Sequence, residues 1–174
     1  QTCALPIYGI ISNIGTAHIG ILGSREKIAE EKRKAFNYIS KDGAAFVYCA
    51  DDYADYCLEN VIGKKIKYGT EDFIQSINPV DKGVNGTSFC LDGVTIDLPL
   101  SGKYNLINAL GAIYVAREFG ITNLEIKTGI ENLSAISGRM EIKEVELINN
   151  KKITLIIEFH YHCFYLRGRV LNSP

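Results

Sequence analysis

The chain has 174 residues, 47% of them hydrophobic and 22% charged, with a formal net charge of −1. That is enough apolar material for one sizeable core, or for a domain and a piece of another. A near-neutral balance without a basic block excludes nucleic acid or an anionic membrane surface as the main partner. Five cysteines (Cys3, Cys49, Cys57, Cys90, Cys163) form an odd set with no C-x-x-C pair, which points to reduced thiols and a cytosolic setting. No apolar run reaches membrane-spanning length. The start at Gln1, with neither an initiator Met nor a secretory pattern, points to a fragment.

The first element is an apolar run, Ile10, Ile11 and Ile14, followed by a loop containing Gly15, Gly20 and Gly23. Ser24 is a good helix N-cap, since its hydroxyl can accept from a first-turn amide. The helix behind it carries the apolar stripe Ile28, Ala29, Ala35, Phe36 and Ile39. Lys32 interrupts that stripe, four residues after Ile28 and four before Phe36. A lysine there must reach water, pair with an anion or lose its charge. His18 directly follows the strand, and open α/β sheets bind ligands beyond the carboxyl ends of their strands. His18 and Lys32 are therefore candidates to converge.

Residues 44–48 (AAFVY) read as a buried strand, and Asp51-Asp52 behind it as turn formers. A short helix over 53–60 and a strand over 65–68 ending at Gly69 follow. Residues 70–84 read as an irregular crossing with one strand-like piece. Residues 87–100 alternate around Asp92-Gly93, a hairpin signal, and the hairpin suits an antiparallel edge on a mostly parallel sheet. The stretch 102–116 is helical, with Gly120 as its C-terminal stop. Asn105 and Asn108 lie on one face of its first turn, where they can cap the helix or offer paired donors and acceptors to a ligand. A short helix over 122–132 precedes Gly138-Arg139-Met140-Glu141, and two strands, 141–148 and 152–157, pair around Asn149-Asn150. The fold class is α/β, a mostly parallel sheet flanked by helices.

Three of these stretches resemble the Mur ligases, the ATP-dependent amide-forming enzymes of peptidoglycan synthesis. N-I-G-T-A-H at 13–18, followed by Gly23-Ser24 and Lys32, resembles the family's central signature. Ala17 before His18 and the 14-residue interval to Lys32 are similar to the type that joins D-alanyl-D-alanine to UDP-N-acetylmuramoyl-tripeptide. The stretch 102–112 resembles the family's G-x-H-N-x-x-N-x-x-A-A element, with Tyr104 in place of the histidine and Gly111 in place of the first alanine. G-R-M-E at 138–141 resembles the opening of the C-terminal domain.

The resemblance implies that His18 and a carbamylated Lys32 bind Mg2+, that Asn105 and Asn108 seat the adenine of ATP, and that Arg139 contacts its phosphates. It implies residues 1–136 as part of the central ATP-binding domain and 137–174 as the start of a Rossmann-like C-terminal domain. The full-length enzyme is expected to be a cytoplasmic monomer. Folylpolyglutamate synthase-like chemistry and a non-catalytic nucleotide-binding module are the alternatives. The chain has no G-x-x-x-x-G-K-[ST] loop, so it is not expected to turn over alone. From Glu158 onward it departs from the family pattern. His160, His162 and Cys163 cluster there, without a fourth residue spaced as a metal ligand.

Overall fold

Three parallel strands organise the first half of the chain in the order β1-β2-β3. They are β1 (Tyr8–Ile11), β2 (Ala44–Tyr48) and β3 (Lys64–Tyr68). The computed structural model describes residues 7–136 and, as strands, residues 141–146, 152–160 and 163–168. β2 is central, and its first four residues are all buried, as befits a strand covered on both faces. Ala45 and Val47 pack on one face with Ile11, Ile28, Phe36 and Leu58. Ala44 and Phe46 pack on the other with Tyr68, Leu106, Leu110 and Ile113. Period-two alternation along β2 thus divides the core into two layers.

The first layer is built by α1 (Ile19–Leu22), α2 (Arg25–Arg33) and α3 (Ala54–Leu58). Ser24 caps α2 as expected, its hydroxyl accepting from Lys27 N at 3.3 Å. Of the expected stripe, Ile28, Ala29, Phe36 and Ile39 are buried, but Ala35 is exposed. The α-helix ends at Arg33 and continues as a 3₁₀ turn over Lys34–Tyr38. The tighter winding rotates the face by which Ala35 was expected to pack.

Two features of the next stretch differ from expectation. Residues 70–84 contain a helix, α4 (Glu71–Ser76), whose N-cap Thr70 accepts from Phe73 N. The hairpin β5 (Thr87–Leu91) and β6 (Val94–Leu98) turns through Asp92-Gly93 as read, both residues with positive φ. It does not extend the parallel sheet. With the two-residue β4 (Val80–Asp81) it forms a separate antiparallel sheet. The reason is its apolar face: Phe89, Leu91, Ile96 and Leu98 are spent against the same core as Leu110 and Ile126.

The second layer is dominated by α5 (Lys103–Glu118). Its end has the Schellman pattern: Gly120 N donates to Arg117 O and Ile121 N to Ala116 O. Helix α6 (Asn123–Glu131) opens with a full capping box between Thr122 and Glu125. A third sheet holds β7 (Glu141–Glu146), β8 (Lys152–His160) and β9 (Cys163–Gly168), all antiparallel. The first pairing agrees with the expected strands; β9 was not foreseen. Among the described residues no helix is long and apolar enough to cross a membrane, and Cys49, Cys57 and Cys90 are free thiols.

Candidate active site at the carboxyl end of β1

The loop leaving β1 is held by side chains from three directions. Ile14 is buried, and its N–H donates to Asp51 Oδ2 at 2.6 Å. Its carbonyl accepts from Arg25 Nε at 3.2 Å and Nη2 at 3.0 Å. One residue earlier, the Asn13 carbonyl accepts from Lys32 Nζ at 2.8 Å. Asp51 also forms the expected turn, its Oδ1 accepting from Tyr53 N at 2.9 Å. Asp52 pairs with Arg25 Nη1 at 3.0 Å.

Arg25 is the first residue of α2, where a cation meets the positive end of the helix dipole. That unfavourable placement was the available signal that Arg25 has a specific partner, and sequence reasoning passed over it. It likewise read Asp51 only as a turn former. Around this cluster the Glu26 carboxyl is held down to about 2, first by the Ser24 hydroxyl and then by the Tyr53 hydroxyl, which donates to Glu26 Oε1 at 2.7 Å.

His18 lies four residues beyond Ile14. It is exposed, has a left-handed backbone (φ 65°, ψ 13°) and starts the single turn of α1. A non-glycine residue in that region is uncommon and marks a constrained position. Lys32 is half-buried rather than fully inside, with its amine directed at the strand end. The structure therefore ties Lys32 to the loop that carries His18.

Asn105 and Asn108 occupy the start of α5 on the opposite face of the parallel sheet. Asn105 Nδ2 donates to Ser101 O at 2.7 Å, so part of its side chain serves the helix start. Asn108 is exposed. It lines a crevice of about 510 Å³ with Ile10, Ser12, Ala112, Val115 and Phe119. A second crevice of about 490 Å³ is lined by Ile10, Ile11, Ser12, Lys32 and Ala35. Ile10 and Ser12 belong to both, so Lys32 and Asn108 flank one strand end from opposite faces. Tyr104 is 76% exposed, and Gly111 lets Tyr68 and Ile10 approach the helix. Arg139 lies outside the described residues, as does His162.

As a donor set for Mg2+ the described residues are partial. No three of His, Cys, Asp and Glu converge among them, and Lys32 as an amine donates rather than ligates. Magnesium takes oxygen ligands in an octahedral shell. Of the two sequence candidates, Lys32 would meet that requirement only as a carbamate, which carries two oxygens, and His18 would add a ring nitrogen.

Residues 1–116 match the family model for the Mur ligase middle domain. The UDP-N-acetylmuramoyl-tripeptide–D-alanyl-D-alanine ligase of Treponema pallidum (strain Nichols) is 34% identical over 139 residues, covering 79% of this chain and 30% of that one. Among solved structures, MurF from Acinetobacter baumannii aligns with TM-score 0.68 and 24% identity, over 80% of this chain and 32% of the other. MurF from Thermotoga maritima, solved in complex with ADP, aligns with TM-score 0.56 and 19% identity, over 81% and 34%. The chain thus spans about a third of the length of the relatives it matches. It belongs to the Mur ligase family, its first two thirds being middle domain.

Proposed function

We propose that this chain is part of a cytoplasmic ATP-dependent ligase that joins D-alanyl-D-alanine to UDP-N-acetylmuramoyl-tripeptide. The observation that carries the reading is the convergence at one strand end: Lys32 is bonded to the Asn13 carbonyl of the loop bearing His18, and Asn108 lines the same edge from the other face. The named relative with 34% identity performs that joining by its printed name.

In this reading the γ-phosphoryl group of ATP passes to an oxygen of the tripeptide's terminal carboxylate, and ADP leaves. The amine of D-alanyl-D-alanine attacks the acyl carbon, the C–O bond to phosphate breaks, and inorganic phosphate and one amine proton leave. Asn105 and Asn108 present amide groups to the adenine edge, and Arg139 offers a bidentate guanidinium to phosphate. Lys32 acts as a carbamate: its neutral amine adds to the carbon of CO2, a C–N bond forms, one C–O electron pair moves to oxygen, and one N–H proton is lost to solvent. His18 and the carbamate would hold Mg2+, which when bound neutralises charge on the transferring phosphoryl group. Residues 137–174 open the C-terminal domain, and turnover would require a triphosphate-cradling loop that these 174 residues do not contain. The enzyme works as a monomer.

The test is phosphate release by the full-length protein with ATP and UDP-N-acetylmuramoyl-tripeptide, with and without D-alanyl-D-alanine. Release that depends on the dipeptide supports the reading. Release driven instead by glutamate and a folate, or no release with any acceptor, overturns it.

A further inference from the structure

We infer that Asp51 and Arg25 are positioning residues, which act through the main chain of Asn13 and Ile14 to aim Lys32. The inference rests on the reading of Lys32 given above. The peptide between Asn13 and Ile14 is gripped at both ends: its carbonyl accepts from Lys32 Nζ at 2.8 Å, and its N–H donates to Asp51 at 2.6 Å. The next carbonyl, of Ile14, takes two donors from Arg25. A trans peptide points its C=O and N–H in opposite directions, so a pull on either end reorients the other. A carbamate on Lys32 keeps one N–H on Nζ. With that N–H donated to the Asn13 carbonyl, the torsion about Cε–Nζ is set, and with it the direction of the two carbamate oxygens.

The cost of this arrangement argues for a purpose. Arg25 sits at the positive end of α2, where a cation is disfavoured. Asp51 directs a charged oxygen at a buried backbone amide, a charge-assisted bond stronger than a neutral one. Ile14 alone could be anchored by its apolar side chain. The extra bonds fix peptide orientation, which burial does not. Groups that orient a ligating side chain matter to function nearly as much as the ligand itself.

The test uses the full-length protein in 13C-labelled bicarbonate, read by the carbamate carbon signal and by ligation kinetics. Asp51→Asn keeps the size and leaves one acceptor where two N–H groups need one each. Arg25→Gln removes the grip on the Ile14 carbonyl, and it carries the test if Asp51→Asn does not fold. Each should lower the carbamate signal at fixed bicarbonate and reduce kcat by about tenfold or more, since small misplacements at a reacting centre have effects of that order. Added bicarbonate should recover part of the loss, while KM for ATP stays within about twofold. Glu30→Gln, which removes only the exposed partner of Lys27 on the outer side of α2, should leave both readouts unchanged. Folded Asp51→Asn and Arg25→Gln proteins with an unaltered signal overturn the inference, whether kcat is retained or lost without a bicarbonate response. A wild-type protein lacking the signal refutes the Lys32 reading itself, which separates the two failures.

Discussion

Tyr68→Phe should stabilise the fold, and most strongly at alkaline pH. Tyr68 is fully buried at 0% exposure, and its hydroxyl has no hydrogen-bond partner among the described residues. An unpaired buried hydroxyl costs about 1–3 kcal/mol, and phenylalanine removes it while keeping the ring against Tyr48 and Tyr114, at 5.9 and 6.0 Å between centroids. The expected gain near pH 8 is about 1 kcal/mol, or about 2–4 °C in Tm for a chain of this size. Burial also pushes the Tyr68 hydroxyl up from 10.0 to about 12. The folded state then keeps a proton that the unfolded state releases, so this stability is complete below pH 10 and lost as pH rises towards 12. At pH 11 the loss is about 1.4 kcal/mol. Tyr48 and Tyr114 are also raised by burial but are common to both proteins. Urea unfolding at pH 8 and pH 11 should show the advantage of the variant growing from about 1 to about 2.4 kcal/mol. A variant less stable at pH 8, or a gap that does not widen, would refute the reasoning and show that the hydroxyl is satisfied.

Gly86→Ala should cost about 3 kcal/mol or more, measured by urea unfolding. Its φ is +94°, and an added Cβ would lie 1.9 Å from the Leu98 carbonyl oxygen, which cannot move without breaking the antiparallel sheet. Gly111→Ala gains about 1 kcal/mol of helix propensity and loses about 1–3 to overpacking, because the new Cβ meets Tyr68 Oη at 3.0 Å and Ile10 Cδ1 at 2.7 Å. Its cost should shrink in a Tyr68→Phe background, and a double-mutant cycle reads that coupling directly. Thr122→Ala removes the capping box of α6 and should cost about 1 kcal/mol by the same assay.

What the sequence made legible follows from where each signal is stored. β2, the α2 cap, the Asp92-Gly93 turn and the end of α5 are encoded locally, by a run of apolar residues, a hydroxyl at an N-cap and glycines at positive φ. Helix α4 is only six residues long, too short for a periodic stripe, although Thr70-Glu71-Asp72 was a usable start signal. The separate antiparallel sheet depends on which core the hairpin face meets, a tertiary choice that alternation cannot report. Lys32 was singled out because a charge on an apolar face conflicts with its surroundings, and His18 because it follows the end of a buried strand. Asp51 and Arg25 were missed because acidic residues after a strand have an ordinary explanation, and because Ile14, the group they share, is recognised by its backbone rather than its side chain.

The central claim is that Lys32 serves as an anion generated from its own amine. In the full-length protein at ambient bicarbonate, Lys32→Ala should abolish ligation and leave the fold intact, and acetate should restore part of the activity by returning a carboxylate to the vacated place. Lys32→Arg should be equally inactive, since a guanidinium stays cationic and forms no carbamate. A kinetic assay of both variants with and without acetate decides the matter. The account predicts acetate-dependent activity in Lys32→Ala alone, and near-wild-type turnover in Lys32→Arg would contradict it.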